Sequence, residues 1–362
     1  MTIHFMNFSS TSFIFEPMLR NLQRLTNWEL WPFKVVYFPL SFVWIWYMIK
    51  SRAVWFFTPS NPTISFGGFE GEGKKEINEQ LPLHLIPKTI YIEPSISLNQ
   101  VEELMREAKI TYPFVVKPDV GMKGLLFSKI DTLDQLKHYH SQMPVMYLIQ
   151  ELIDLPLEVS VFYYRHPTSE KGRISGFFAK ELMHITGNGN DSVHTLIKNH
   201  PRARYREEEM HRKHSHLFEH VLQEGEKYYL SYAGNHNRGA KFICLKHEID
   251  EALHKVFDDL NKEVPHFYYG RYDIKASSVE DLKAGRNYYI LEYNGSGAEP
   301  NHIYDAGLSL WEAYREILHH WKVLYEISKY NHQNGYPYWS FKQGKEFLRQ
   351  SNEHFKKLKS IA

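Results

Sequence analysis

Residues 267–303, FYYGRYDIKASSVEDLKAGRNYYILEYNGSGAEPNHI, limit the fold more than any other stretch. Two β-rich runs, FYYGRYDIK and NYYILEYN, flank a polar loop and read as an antiparallel hairpin. Side chains two apart on a strand share a face. Arg271 and Asp273 therefore point one way, as do Glu292 and Asn294 on the second strand. If the two faces coincide, two carboxylates, an amide oxygen and a guanidinium converge. That set offers hard oxygen ligands to Mg²⁺ and a fixed cation to nucleotide phosphates. The competing reading is the polar face of a solvent-exposed hairpin, and the hairpin alone does not separate the two.

A chain of 362 residues holds one large domain or two modest ones with a full core. Its 43 basic and 42 acidic residues leave a net charge of +1, which is no nucleic-acid signature. The single cysteine, Cys244, excludes an internal disulfide and a cysteine-rich zinc site. The 21 histidines scatter without HExxH-type ligand spacing. Their densest group, His211, His214, His216 and His220, reads as a solvated helical face.

Residues 28–57, WELWPFKVVYFPLSFVWIWYMIKSRAVWFF, differ from everything after them. Val35 to Ile49 carry no charge, with Lys34 before and Lys50 and Arg52 after. A spanning helix needs about 20 apolar residues; this run is shorter and contains Pro39. Trp and Tyr favour the headgroup level, and flanking cations snorkel to it. An in-plane or re-entrant membrane anchor is the expectation. A short tilted span and an aromatic helix pair packed on the body are the alternatives. The run starts late and no small-x-small site follows it, so it does not read as a signal peptide. Residues 1–58 are read as a membrane-associating segment and TPSNPTISFGG (58–68) as a linker or run of turns. A body of 59–305 follows, then a C-terminal helical extension of 306–362, read as two helices from its apolar spacing.

GFEGEGKK (68–75) comes close to a phosphate-binding Walker loop, but Lys75 stands where a Ser or Thr must reach Mg²⁺. Glu70 and Glu72 would also face phosphates, so the P-loop reading is rejected. Further on, PFVVKP (113–118) is a strand ending in a lysine. A turn with Gly121 and Gly124 follows, then a strand over 125–130 and a helix over 131–143 with Asp131 as its cap. Residues 145–165 read as two strands around a break at Asp154–Pro156, 172–182 as another strand, and 204–226 as a long polar helix.

This order resembles the ATP-grasp superfamily, and the motifs are most similar to D-alanine–D-alanine ligase and cyanophycin synthetase. The resemblance covers roughly residues 70–305. It implies an α+β, ATP-grasp fold: two antiparallel-sheet subdomains clamp ATP, with helical N- and C-terminal additions. It places Lys117 on the phosphate-binding strand, Gly121 to Gly124 on the glycine-rich flap, and Lys74, or else Lys75, as a second ATP lysine. Glu151 with the backbone of Leu152 and Ile153 would meet adenine, and Glu158 the ribose. Lys180, before the Gly187–Asn188–Gly189 turn, would reach a phosphate. GNHNRGAKFICL (234–245), with Asn235, Asn237 and Arg238, matches a further Asn- and Gly-rich segment.

The resemblance also makes Asp273, Glu292 and Asn294 ligands of two Mg²⁺ ions, with Mn²⁺ an acceptable substitute. Lys117, Arg271 and the Gly295–Gly297 backbone would stabilise developing oxyanions. Gly297, Glu299 and His302 are the candidate substrate contacts, in a stretch that departs from the ligase pattern. The implied activity joins a carboxylate to an amine through an acyl phosphate. Its implied place is the cytoplasmic face of the cell membrane, on an envelope or lipid-linked substrate. A phosphotransferase and a non-catalytic nucleotide-binding module are the alternatives.

Overall fold

The computed structural model describes residues 26–122, 124–231, 234 and 239–361. Asn235, Asn237, Arg238 and the first 25 residues of the N-terminal segment lie outside the described residues.

The described chain opens with two short helices, α1 (Phe33–Tyr37) and α2 (Ser41–Ser51), joined by a 3₁₀ turn that contains Pro39. A five-residue helix, α3 (Lys74–Asn78), precedes the first sheet. That sheet holds β1 (Thr89–Ile92), β2 (Phe114–Pro118), β3 (Ser128–Ile130) and β4 (Tyr147–Glu151) in the antiparallel order β1–β4–β2–β3. Helices α4 (Leu98–Glu107) and α5 (Leu133–Gln142) cover its apolar face. Strand β3 is shorter than expected because Gly124 and Leu126, both at positive φ, turn the chain at 124–126. The cap of α5 is Thr132, not Asp131.

The second sheet contains β5 (Leu157–Tyr164) and β6 (Arg173–Glu181). A small two-stranded unit follows, β7 (His184–Thr186) with β8 (Lys227–Tyr229), together with α6 (Val193–Asn199) and α7 (Glu207–His214). The expected long polar helix over 204–226 reduces to the eight residues of α7. Then come β9 (Lys241–Cys244), α8 (Glu251–Glu263), β10 (Tyr269–Ala276), α9 (Val279–Lys283) and β11 (Tyr288–Asn294). The five strands run β11–β10–β5–β6–β9, all antiparallel. The chain ends in α10 (Leu310–Gln333) and α11 (Phe341–Lys359), each started by a Ser capping box. This is an α+β architecture of two antiparallel sheets, with helical additions at both ends.

Alternation along the strands gives the second sheet two different faces. Val159, Val161, Phe177, Tyr272, Ile274 and Ile290 pack under Leu253, Phe257 and Leu260 of α8. The opposite face carries Phe162 and Tyr269, covered by Phe56, Phe57 and Phe66 and by Leu324 and Tyr325 of α10. Residues 58–68 are therefore no solvent linker: Thr58, Ser60, Asn61 and Phe66 are buried. A Pro-, Ser- and Gly-rich composition suits a buried irregular segment when its backbone groups find partners. Asn61 supplies them. Its Oδ1 accepts from the Tyr268 and Tyr269 N–H groups at 2.9 and 3.1 Å. Its Nδ2 donates to the Tyr269 and Gly67 carbonyls at 2.9 and 3.1 Å.

The two terminal regions pack on each other and on the body. Trp44 of α2 stacks edgewise on Trp321 of α10 at 5.0 Å, and Tyr47 lies parallel to Tyr325 at 4.6 Å. Phe355 and Leu358 of α11 join the core of the first sheet. The outward face of α1 and α2 is bare: Phe38, Phe42, Ile45, Trp46 and Ile49 are each 47–69% exposed. Among the described residues, no helix is long and apolar enough to cross a membrane.

Asn61→Ala would remove the side-chain partner of the Tyr268 and Tyr269 N–H groups and of the Tyr269 and Gly67 carbonyls, of which the Gly67 carbonyl keeps the Ser296 N–H. We expect a loss of about 3 kcal/mol in folding stability, read by urea denaturation; a change within error would show that water replaces the amide.

Candidate active site

Four strands of the second sheet present polar side chains on one face. Glu158 and Ser160 come from β5, Lys180 from β6, Arg271 and Asp273 from β10, and Glu292 and Asn294 from β11. The register sets Arg271 opposite Asn294 and Asp273 opposite both Glu292 and Ser160. The β10–β11 ladder then slips, so that Ile274 faces Ile290. This bulge drops Leu291 from the one-to-one pairing. The Leu291 carbonyl accepts from Lys117 Nζ, on β2 of the first sheet, at 3.4 Å. The two sheets meet here.

Asp273 is the most heavily bonded group. Arg271 approaches it with Nε at 3.1 Å and Nη2 at 3.3 Å. Lys180 Nζ lies 3.2 Å from Oδ1, Ser160 donates to the same oxygen, and Asn294 Nδ2 donates to Oδ2 at 3.3 Å. Burial pushes the Asp273 carboxyl up, but Arg271, Lys180 and Ser160 outweigh it and hold it far below the usual carboxylate range. Glu292 follows the same logic: desolvation raises it, and Lys74 and Lys117 bring it below its ordinary value. Lys74 Nζ sits 3.3 Å from Glu292 Oε1. Burial is also the main influence on Lys117, whose ammonium is pushed down to about 8 despite Glu292 nearby. Four cations, Lys74, Lys117, Lys180 and Arg271, thus surround three carboxylates, Glu158, Asp273 and Glu292.

The lysine brought to this cluster is Lys74, whereas Lys75 turns to Glu79 at 4.0 Å and to the Tyr91 ring. Gly73, Lys74 and Lys75 are held against the turn after β2: Lys74 N–H donates to the Asp119 carbonyl at 3.2 Å and Lys75 N–H to the Asp119 carboxylate at 2.8 Å. Gly124 uses its positive φ in the flap, and Gly121 sits in the same turn in ordinary contact with Pro118.

Several expected contacts take other roles. Glu151 gives its N–H to the Lys88 carbonyl at 2.9 Å and its carboxylate to Lys88 Nζ at 3.8 Å. Of the expected adenine edge, Leu152 and Ile153 remain, half-buried in the crossover from β4 to β5. Glu158 is engaged by Lys180 at 3.5 Å rather than left open for a ribose. The Gly295–Gly297 backbone is no oxyanion hole: Ser296 and Gly297 N–H groups donate to the Gly67 and Gly68 carbonyls, both at 3.0 Å. Gly297 itself is pressed on Phe69, where a Cβ would come within 1.9 Å of the backbone oxygen. The Glu299 carboxylate accepts from Tyr37 at 2.8 Å and from Tyr304 at 2.6 Å, and its carbonyl accepts from Arg271 at 3.3 Å. Glu299 therefore positions Arg271. His302 joins Glu316 of α10, not the cleft cluster. Asn188 folds its turn back on itself, its Oδ1 accepting from the Asn190 and Asp191 N–H groups at 3.1 and 2.8 Å.

Sequence reading missed Ser160, which lies on the polar face two residues after Glu158, and Lys275, two residues after Asp273. Lys275 donates to the Leu155 carbonyl at 3.0 Å and fixes the crossover beside Leu152 and Ile153. Strand alternation would have found both.

Asp273 and Glu292 are ionised and paired with movable lysines, and Asn294 spends its amide N–H on Asp273, which leaves its oxygen as the metal-binding end. The donor set therefore fits a hard divalent ion, provided Lys74 and Lys180 turn from the carboxylates to an arriving polyphosphate.

No protein-family model matches the chain, and no curated protein matches it. Solved structures do resemble it. D-alanine–D-alanine ligase from Bacillus anthracis is 13% identical over 73% of this chain and 69% of that chain, at a TM-score of 0.41. VanG D-Ala:D-Ser ligase from Enterococcus faecalis is 16% identical over 74% and 63% of the two chains, at 0.40. A bifunctional glutathione synthetase from Pasteurella multocida is 12% identical over 67% and 35%, at 0.36. At such identities and scores, what the chain does rests on the side chains described above.

The lowered pKa of Lys117 has a stability signature. Below about pH 8 the lysine is charged in both folded and unfolded chains, and the folded protein bears the cost of its burial. Between about 8 and its ordinary 10.5 the unfolded chain binds more protons, so this group makes the protein more stable as pH rises. The stability difference between the wild type and Lys117→Met should move in the wild type's favour from pH 8 to 10.5 and stay flat between 6 and 7.5. Urea titrations across that range measure it, and a flat difference throughout would place the lysine in a solvated setting.

Proposed function

We propose that the protein is an Mg·ATP-dependent ligase of the ATP-grasp kind, which activates a substrate carboxylate as an acyl phosphate for attack by an amine. The observation that carries this reading is the convergence of Lys74, Lys117, Lys180 and Arg271 on Asp273, Glu292 and Asn294 where the two sheets meet. A carboxylate has no usable leaving group and an acyl phosphate does, which is the chemical reason to use ATP.

Asp273, Glu292 and Asn294 would hold Mg²⁺, with two ions suiting two carboxylates and Mn²⁺ sharing the oxygen preference. A metal held by these residues would supply charge neutralisation at the phosphates. Lys74 and Lys180 leave Glu292 and Asp273 for phosphate oxygens, and Lys117 reaches the same group from the first sheet. The substrate carboxylate attacks the γ-phosphorus and ADP leaves. The amine then attacks the acyl carbon, inorganic phosphate leaves, and the amine proton passes to solvent. Arg271, held flat by Asp273 and the Glu299 carbonyl, offers fixed positive charge to the tetrahedral oxyanion. The backbone of Leu152 and Ile153 serves the adenine edge.

The site of action in this reading is the cytoplasmic face of a membrane, on an envelope or lipid-linked substrate. Support comes from α2, where Phe42, Ile45, Trp46 and Ile49 form an exposed row at helical spacing. Phe38 extends the row, and the exposed Lys34, Lys50 and Arg52 flank it. An apolar, Trp-containing face ringed by cations suits an anionic bilayer surface, with the helix lying in its plane.

Purified protein supplied with Mg·ATP and a panel of carboxylates and amines should release phosphate only when both an acid and an amine are present. Release with the carboxylate alone would make it a phosphotransferase; no nucleotide binding at millimolar Mg²⁺ would remove both activities. Glu292→Gln should cut turnover by at least about 100-fold with unchanged circular dichroism, and retained turnover would sink the metal assignment. Phe42→Ser with Trp46→Ser should lower co-sedimentation with anionic vesicles about 10-fold. Wild-type protein that stays in the supernatant would end the lipid reading.

A further inference from the structure

Beyond Asn294 the chain passes against α10, and there two histidines and a glutamate meet that the ligase chemistry does not use. His302 lies in the 3₁₀ turn Asn301–Ile303. Glu316 and His320 stand one turn apart on α10 and so share a face. Glu316 Oε1 is 3.0 Å from His302 Nε2 and 3.3 Å from His320 Nε2. The three ligand atoms all lie within 4.8 Å of one another. Around a tetrahedral ion with bonds of about 2.0–2.1 Å, neighbouring ligand atoms sit about 3.3 Å apart. Both separations are near that spacing.

The ring nitrogens point the same way. His320 is wholly buried, and its Nδ1 is 3.1 Å from the Tyr269 hydroxyl. Its Nε2, turned toward Glu316, makes no hydrogen bond of usable geometry. In the tautomer that donates Nδ1–H to the Tyr269 hydroxyl, the His320 Nε2 lone pair faces the Glu316 carboxylate. That contact is repulsive in a buried setting, and a cation between the two atoms turns it attractive. Tyr269 then acts as the outer partner that fixes a ligating imidazole's tautomer. Gly176 makes room for the His302 ring, since a Cβ there would come within 2.1 Å of Nδ1.

We propose that His302, Glu316 and His320 form a binding site for a divalent transition-metal ion of the zinc class, separate from the nucleotide site. Two imidazoles and one carboxylate are borderline ligands that favour Zn²⁺ over Mg²⁺. Glu316, half-buried, leaves one side for a solvent ligand. The ion joins the loop after β11 to α10 and so holds the turn that follows Glu299.

The test uses full-length protein stripped with a chelator and titrated with Zn²⁺ in excess Mg²⁺. One equivalent should bind, and Glu292→Gln should not alter it. Co²⁺ in its place should give the intense visible bands of a four-coordinate site. Glu316→Gln and His302→Ala should abolish binding, and Tyr269→Phe should weaken it about 10–100-fold. Zn²⁺ should also raise the wild-type melting midpoint and leave that of Glu316→Gln unmoved. Absence of stoichiometric binding, binding unchanged in Glu316→Gln, or binding lost in Glu292→Gln would each overturn the proposal.

Discussion

An ionised carboxylate buried under a β-sheet face sets the terms for the rest of this molecule. Asp273 is only 6% exposed, and a lone charge there would cost several kcal/mol. Arg271, Lys180, Ser160 and Asn294 offset that cost from four strands at once. The arrangement works only in one register, because a slip of one residue would send Asp273 to the apolar side beneath α8. The same ion cluster stores positive charge in excess of negative charge. Lys74 and Lys180 sit on Glu292 and Asp273, at 3.3 and 3.2 Å. The bulge beside Asp273 adds the last element, because it frees the Leu291 carbonyl to hold Lys117 across the gap between sheets.

The paired faces of β10 and β11 were legible from alternation alone, and so were the strands bearing Lys117 and Lys180. Periodicity reports which side of a strand a residue occupies, and here that side carries the ion cluster. Of the two readings of segment 58–68, a linker or a run of turns, the turns are what forms, and they are buried: Pro, Ser, Asn and Gly mark irregular backbone, and irregular backbone can be buried if one side chain satisfies it. Asn61 does so, with partners more than 200 residues away that no local pattern reveals. The Gly295–Gly297 stretch failed as an oxyanion hole for a related reason. Glycines permit close approach, but the approaching group is the Gly67–Gly68 backbone. His302 likewise went to a helix face whose Glu316 and His320 spacing was present in the sequence and was passed over among 21 scattered histidines.

These outcomes reassign the loop of residues 295–305. Its backbone pairs with Gly67 and Gly68, Glu299 holds Tyr37 and Tyr304, His302 meets Glu316, and Asp305 pairs with Arg202 and accepts from the Phe242 N–H. Each anchor comes from a different part of the chain. The loop is a junction, and it carries the carbonyl that holds Arg271 in place.

The bond from Tyr37 to Glu299 ties the apolar N-terminal helices to that junction. Helix α2 shows the solvent its Phe and Trp row, while α1, through a single phenol, touches the glutamate whose carbonyl holds the Arg271 guanidinium. The N-terminal region is consequently no detachable tether. Cutting the chain near residue 58 would uncover the rings of Phe66 and Tyr325 and take the Tyr37 hydroxyl away from Glu299 in the same stroke. Only side-chain changes confined to the outward row leave those contacts in place.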